Sequence, residues 1–155
     1  MPSKNQLFVF SILLSLVSCN ITSEVTEKNR TLPLAGTWNL VSSKVITKTD
    51  TVNTFPVKGQ EMIKMFTDNE FSFFKHDLNY GKGESAVFDA GSGTYKLEGE
   101  NYSEHLAYCN YRDWENRDFN FKLILKNDTL IQTGIEKIDS LNINQEIVEI
   151  YVKKK

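Results

Sequence analysis

The chain has 155 residues, of which 40% are hydrophobic, and its 18 basic and 20 acidic residues give a net charge of −2. This length holds one domain, and the balanced charge leaves no basic stripe apart from Lys153–Lys155. Because nucleic-acid-binding domains carry a clear basic footprint, no nucleic acid partner is expected.

The chain begins with a short apolar run that extends from Leu7 to Val17. A membrane-spanning helix needs about 20 apolar residues, so this run is too short to cross a bilayer. A buried first helix of the domain is an alternative, but residues 20–34 are polar and show neither helical nor strand periodicity. The pattern favours a signal peptide over residues 1–18.

The run ends in Leu16-Val17-Ser18-Cys19, which resembles the lipobox of bacterial lipoproteins. The resemblance implies that Cys19 is the lipidation site, acylated with chains such as palmitate, and that it anchors the protein to a cell-envelope membrane, the outer membrane being expected. Residues 19–35 would then form the lipid anchor and a flexible tether. An ordinary signal peptide with a cysteine near its cleavage site is the alternative.

The other cysteine, Cys109, has no partner for a disulfide if Cys19 is acylated. If Cys19 were free in an oxidising compartment, a Cys19–Cys109 bridge would be the alternative. We expect Cys109 to be a small residue packed within a strand rather than a nucleophile.

The rest of the chain, residues 36–155, is predicted to be all-β. Alternating apolar and polar residues recur about every ten residues, with turn residues between them, which is typical of a sandwich or barrel. Consecutive antiparallel pairing gives an up-and-down β-barrel of about 8–10 strands. The predicted strands cover residues 36–46, 60–66, 70–76, 84–89, 92–98, 101–110, 118–126, 129–137 and 145–153.

Two tight turns, Asn127-Asp128 and Gly99-Glu100, fix the register of two hairpins. Residues that pair directly across a hairpin share a face of the sheet. The expected pairs are Leu125 with Leu130, Leu123 with Gln132, Phe121 with Gly134, Leu97 with Tyr102, and Tyr95 with Glu104.

A third turn is predicted at Thr67-Asp68-Asn69. A three-residue connection there fixes which residues of the two flanking strands pair, and the face formed by those pairs is predicted to point into the barrel. The expected members of that face are Met65 with Phe71, Ile63 with Phe73, and Glu61 with Lys75.

One predicted inward face differs from the other two in being rich in tyrosine and in carrying a carboxylate, Glu104. A small barrel is normally filled by aliphatic side chains, whereas an aromatic wall with a few polar groups is typical of a ligand cavity. The alternative is that the tyrosines reach water at the barrel ends and that Glu104 pairs with Tyr95. A register slip of one residue would turn the whole set outward. The candidate ligand-binding residues are Tyr95, Tyr102, Glu104, Tyr108, Phe121, Leu123 and Gln132.

The first predicted strand opens with Gly36-Thr37-Trp38, which matches the Gly-x-Trp signature of the lipocalins. The stretch from Gly36 to Lys153 resembles the small lipocalin-like lipoproteins of Gram-negative bacteria, through segments such as residues 71–77 and 93–97. The resemblance implies that Trp38 is buried at the base of the barrel under a late basic residue, for which Lys153 is the candidate. It also implies binding of a small apolar ligand.

No catalytic, metal or cofactor site is expected. His105 and Cys109 lie four residues apart on one strand, a separation of roughly 13 Å, which is too long for a nucleophile–base pair. His76 and His105 supply only two potential metal ligands.

The connection 110–118 contains Tyr111, Arg112, Trp114 and Arg117. It is predicted to form a portal rim, to contact another protein, or to fold back and plug the barrel. The connection 77–83 meets it at the same end of the barrel only if residues 84–89 do not form a strand.

These observations predict a monomeric, non-enzymatic, membrane-anchored lipoprotein that binds a small hydrophobic or amphipathic molecule in its barrel. The alternative is an envelope scaffold or protein-interaction module with a filled barrel. An enclosed cavity of several hundred Å³ would favour the first hypothesis, and an exposed aromatic patch over a filled interior would favour the second.

Overall fold

The computed structural model describes residues 34–155. The predicted signal peptide at residues 1–18, the lipidation site Cys19 and nearly all of the predicted tether lie outside the described residues. Within residues 34–155, no helix is both long enough and apolar enough to cross a membrane.

Nine antiparallel strands and two short 3-10 helices make up the described part of the chain. The helices are η1, Arg112–Trp114, and η2, Asp139–Leu141. The strands are β1 (Gly36–Ile46), β2 (Thr51–Phe55), β3 (Gln60–Phe66), β4 (Glu70–Asp77), β5 (Phe88–Glu98), β6 (Asn101–Cys109), β7 (Arg117–Lys126), β8 (Thr129–Ile138) and β9 (Ile143–Lys153).

The sheet closes on itself because β1 has a neighbour on each side. Its first residues, Gly36 to Asn39, pair with β3 on one side, and Trp38 to Ile46 pair with β9 on the other. Strands β3 to β9 pair consecutively between these two contacts, so eight strands form a closed barrel. Strand β2 is an extra strand on the second half of β1. This closed, antiparallel, up-and-down barrel has the lipocalin-like architecture that the sequence predicts.

Two of the three predicted hairpin registers are confirmed. Leu125 pairs with Leu130 across Asn127-Asp128, and Leu97 pairs with Tyr102 across Gly99-Glu100. Asn127 and Gly99 both adopt positive φ, at 55° and 62°, as such short turns require.

The predicted register of the β3–β4 hairpin is wrong by one residue. Its turn contains two residues, because the Thr67 amide donates to the Glu70 carbonyl oxygen and Phe66 pairs with Phe71. A one-residue slip exchanges the two faces of a strand. The inward residues of β3 are therefore Met62, Lys64 and Phe66, in place of the predicted Glu61, Ile63 and Met65.

The prediction that Tyr108 points into the barrel is wrong because β6 contains a β-bulge. His105 pairs with Thr94 and Tyr108 with Ser92, so two residues of β6 lie opposite Gly93 alone. A Cβ at Gly93 would lie 1.8 Å from the His105 carbonyl oxygen, so this close approach requires glycine. The bulge reverses the alternation of β6: Tyr108 points outward and is 70% exposed, and Cys109 is buried.

The strand predicted at residues 84–89 does not form, because residues 78–87 are a loop and β5 begins at Phe88. The predicted strand 92–98 is the second part of β5, and β2 was not predicted. Because 84–89 is not a strand, the β4–β5 and β6–β7 connections lie at the same end of the barrel. We call it the open end.

The opposite end, where β1 begins, is closed by packed apolar side chains. Trp38 is 0% exposed, and its indole Nε1 donates to the Leu34 carbonyl oxygen at 2.8 Å. The Lys153 ammonium lies 5.3 Å from the centre of the Trp38 ring. The buried Trp38 and the late basic residue over it are as the lipocalin resemblance predicts.

Candidate functional site: a polar cavity inside the barrel

The centre of the barrel contains a buried lysine. Lys64 alternates with Met62 and Phe66 on the inward face of β3, so its ammonium points into the interior and the residue is only 3% exposed. The Lys64 ammonium donates to Glu104 Oε2 at 3.0 Å and to Gln132 Oε1 at 2.9 Å. A buried charge requires such partners, because leaving it unpaired in a low-dielectric interior costs several kcal/mol.

Aromatic rings complete the surroundings of this lysine. Its ammonium lies 5.0 Å from the centre of the Phe71 ring, 5.2 Å from Tyr102 and 5.5 Å from Phe66. The Tyr102 hydroxyl also donates to Glu104 Oε2 at 2.7 Å. Cation–π attraction and two hydrogen bonds to one carboxylate oxygen therefore hold Lys64 and Glu104 in a fixed arrangement.

Two further carboxylates lie on the strands facing this pair. The Tyr151 hydroxyl donates to Glu149 Oε2 at 2.6 Å, and the Gln145 amide nitrogen donates to Glu136 Oε2 at 2.8 Å. Burial raises the pKa of Glu136 to about 7, against the lowering effect of its hydrogen bond from Gln145. Burial also raises the pKa of Glu149, although Lys64 and the Tyr151 hydroxyl favour its ionised form.

These groups line a cavity of about 190 Å³ in the half of the barrel towards the open end. The polar part of its lining contains Lys64, Glu104, Gln132, Glu136, Glu149 and Tyr151. The apolar part contains Met62, Phe73, Leu106, Trp114, Phe119, Phe121 and Ile147. A mostly apolar lining with a few convergent polar groups is typical of a small-molecule site.

The mouth of the cavity is partly covered by the β6–β7 connection. Trp114 stacks on Phe119 with ring centres 5.9 Å apart, and both rings line the cavity. The Arg117 guanidinium donates to the Asp113 carbonyl oxygen and to the Ser140 hydroxyl, so it joins this connection to η2. Of the three roles predicted for residues 110–118, folding back over the barrel end fits Trp114.

The structure brings most of the predicted site residues into the interior but only some into the cavity. Glu104, Phe121 and Gln132 line it. Tyr102 and Leu123 are buried nearer the closed end, while Tyr95 is half-buried with its hydroxyl donating to the Thr67 carbonyl oxygen. Tyr108 lies on the outside of the barrel.

Sequence reasoning missed Lys64, Glu136 and Glu149 as cavity residues, and it left Trp114 among three alternative roles. Lys64 was missed because of the one-residue error at the β3–β4 turn. Glu136 could have been found, because the confirmed inward parity of Leu130 and Gln132 on β8 continues to it. Glu149 could not, since the β8–β9 connection through η2 carries no two-residue turn that fixes a register.

The residues considered for catalysis or metal binding do not converge. His105 Nδ1 bonds to Asp118 at 2.9 Å, and His76 Nε2 bonds to Glu61 at 2.7 Å, both at the surface. Residues 34–155 contain no group of three or more His, Cys, Asp or Glu side chains placed to hold a metal ion.

No family model and no curated protein matches the chain. A lipocalin-like protein from Bacteroides uniformis is similar in structure, with 17% identity and a TM-score of 0.49 over 78% of this chain and 98% of that one. An uncharacterized protein from Bacteroides eggerthii has 13% identity and a TM-score of 0.47, over 78% of this chain and 99% of that one. The lipocalin-like assignment is made on the strand order and closure of the barrel itself.

Proposed function

We propose that this protein is a membrane-anchored, non-enzymatic lipoprotein of the cell envelope that binds a small amphipathic molecule in the open half of its barrel. The observation that carries the proposal is the 190 Å³ cavity, whose apolar side chains face polar groups with unused hydrogen-bonding capacity.

The orientation of Gln132 supports a binding role. An ammonium group only donates hydrogen bonds, so the Gln132 atom facing Lys64 is its oxygen. The Gln132 amide nitrogen then points elsewhere, and no group among residues 34–155 accepts a hydrogen bond from it. Gln132 is only 2% exposed and lines the cavity, so water or a ligand inside the cavity can accept a hydrogen bond from this nitrogen.

Glu149 offers the complementary capacity. Its Oε2 accepts from Tyr151, and no described residue donates to its Oε1. The cavity therefore presents a free donor and a free acceptor beside an apolar surface. A ligand with one polar head and a compact apolar body would use the acceptor and the apolar surface, and water beside it can accept from the Gln132 donor.

The size of the cavity limits the ligand. An apolar cavity of about 150 Å³ holds a benzene molecule. A cavity of about 190 Å³ therefore takes a single ring or a short chain with a polar head. This is smaller than the several hundred Å³ considered from the sequence, so the proposed ligand is smaller than a membrane lipid.

The path of the chain fits an anchored binding protein. Leu34 packs at the closed end, so the N-terminal segment with Cys19 joins the barrel at the end opposite the cavity mouth. A lipid on Cys19 would leave the mouth accessible on the side away from the membrane. We propose that the anchored protein acts as a monomer at the outer membrane.

A second candidate function is protein interaction through the open end. Several aromatic side chains there are exposed, most of all Tyr80 at 93%. Exposed aromatic residues are enriched at protein interfaces. The others at this end are Phe88, Tyr108 and Tyr111.

Native mass spectrometry of the full-length chain purified from its own host distinguishes the two functions. A co-purified compound small enough for the cavity would support ligand binding. A stoichiometric protein partner without any small molecule would support the interaction role and contradict the proposed one.

The anchor is tested separately by fractionation of cells. Cys19→Ala should appear in the detergent-free soluble fraction, whereas Cys109→Ala, the matched cysteine control, should stay with the membrane as wild type does. Equal distribution of Cys19→Ala and wild type would contradict lipidation at Cys19.

A further inference from the structure

We propose that the ligand is a small amine, a compact apolar body with a protonated amino group, that Glu149 binds this group and that the Glu136 carboxylate adds to the negative charge around it. The inference rests on the proposed function, because it assigns the charge of the molecule that the cavity takes.

The charges around the cavity are unequal. Its lining contains three carboxylates, on Glu104, Glu136 and Glu149, and one ammonium, on Lys64. Lys64 is already committed to Glu104 and Gln132, at 3.0 and 2.9 Å. Within the described chain, neither Glu136 nor Glu149 has a basic side chain in ion-pair contact.

The other charged groups near the open end do not correct this imbalance. Lys75 of β4 lies 3.9 Å from the Asp89 carboxylate of β5. Arg117 of β7 donates to the Asp113 carbonyl oxygen and the Ser140 hydroxyl. Lys64 of β3 and Glu104 of β6 are the charged groups that face Glu136 and Glu149 across the interior. A cation supplied from outside is therefore the missing partner.

The rest of the lining suits an amine with an apolar body. The free Oε1 of Glu149 accepts hydrogen bonds, and an ammonium group donates three. Phe119 and Trp114 offer ring faces to a cation or to the apolar body. An anionic ligand would instead meet two carboxylates and compete with Glu104 for Lys64.

The ionisation of the two carboxylates should make amine binding depend on pH. In the empty protein, burial raises the pKa of both groups, to about 7 for Glu136. A bound ammonium favours their ionised forms, so binding should release protons. The affinity for an amine should accordingly rise between about pH 6 and about pH 8, where most aliphatic amines stay protonated.

Isothermal titration calorimetry of the full-length chain tests the charge directly with 2-phenylethylamine, 2-phenylethanol and phenylacetate. These probes share a phenyl ring and differ in the charge of the head. We expect the amine to bind at least about tenfold more tightly than the alcohol, with phenylacetate weakest. The amine affinity alone should increase from pH 6 to pH 8. The heat of amine binding should change with the ionisation enthalpy of the buffer, because released protons are taken up by the buffer.

The other possible results of this titration distinguish failure of the amine proposal from failure of the proposed binding function. Equal binding of amine and alcohol, or tightest binding of phenylacetate, would keep the cavity as a ligand site and overturn the choice of an amine. Absence of binding for all three would overturn the proposed function as well.

Variants assign the effect to the two carboxylates. Glu149→Gln and Glu136→Gln keep the side-chain shape, and each should reduce the preference for amine over alcohol severalfold. Glu146→Gln removes an exposed carboxylate from the same strand as Glu149 and should change neither affinity. If both cavity variants kept the wild-type preference, the amine would be held elsewhere and the inference would fail.

Discussion

The two halves of the barrel interior are built on different principles. Around Trp38 at the closed end, buried side chains such as Leu123 and Leu130 pack without polar partners. From the centre of the barrel towards the open end, the interior contains an ion pair, two further carboxylates and a cavity of about 190 Å³. Packing to full density stabilises a fold, whereas buried polar groups and cavities destabilise it unless they are satisfied.

This difference indicates that the closed half mainly stabilises the fold and that the open half is suited to binding. The closed half gains the free energy of burying large apolar side chains, each contributing roughly 1.5–3 kcal/mol. The open half gives up part of that gain to hold polar groups in a fixed arrangement. Mutations in the closed half should therefore change stability most, and those in the open half should change binding or pH dependence.

The largest stability effect is expected for Trp38→Ala. Removing this fully buried ring leaves a cavity, the Leu34 carbonyl oxygen unpaired and Lys153 without its aromatic contact. The free energy of unfolding, measured with urea, should fall by about 3–5 kcal/mol. Val41→Ala, on the exposed side of the same strand, should change it by less than about 0.5 kcal/mol. A Trp38→Ala variant of near-wild-type stability would show that the closed half is not the main stabilising region.

The buried ion pair should give the next effect. Lys64→Met leaves the Glu104 carboxylate buried without its cation, which should cost about 3 kcal/mol of unfolding free energy. The double variant Lys64→Met/Glu104→Gln removes both charges and keeps an acceptor for Tyr102, so it should recover most of the loss. Lys122→Met, at an exposed position, is the control. A double variant as unstable as the single one would mean that packing around Lys64 matters more than charge.

The pH dependence of the unfolding free energy should reveal the buried carboxylate Glu136 of the open half. A carboxyl group whose folded-state pKa is raised from 4.5 to about 7 binds more protons when folded, so its contribution to stability is lost as pH rises through this range. Glu136→Gln should therefore be more stable than wild type by about 1–2 kcal/mol at about pH 8, and equal to it near pH 4.5.

Urea unfolding at both pH values measures this difference. The control is Glu146→Gln, which removes one surface carboxylate from the neighbouring strand β9. A Glu136→Gln variant no more stable than wild type at the higher pH would show that burial does not destabilise the ionised form of this carboxylate.

The closed half could be predicted from the sequence because local rules determine it. Asn127-Asp128 and Gly99-Glu100 are short turns with defined geometry, and alternation then carries the inward face along the strands. Trp38 and Lys153 follow from the lipocalin resemblance. These rules predicted the barrel and placed all seven candidate site residues in its interior, where six of them lie and Tyr108 does not.

The remaining predictions failed because a bulge, a turn length and an unregistered connection decide which faces of three strands point inward. The bulge opposite Gly93 turned Tyr108 outward, and it depends on a close backbone approach that the sequence does not reveal. At the closed end, Asp68-Asn69 forms a turn one residue shorter than predicted, and this local difference brought Lys64 inside. Glu149 lies on a strand joined through η2, so no simple hairpin rule fixes its face.

The two tryptophans of the chain allow the most direct test, since Trp38 lies in the closed half and Trp114 lines the cavity. Their indole N–H groups give separate signals in a ¹H–¹⁵N NMR spectrum of the full-length chain. On titration with 2-phenylethylamine, the Trp114 signal should shift and saturate while the Trp38 signal stays in place. Movement of the Trp38 signal alone, equal movement of both, or movement of neither would contradict a ligand site confined to the open half of the barrel.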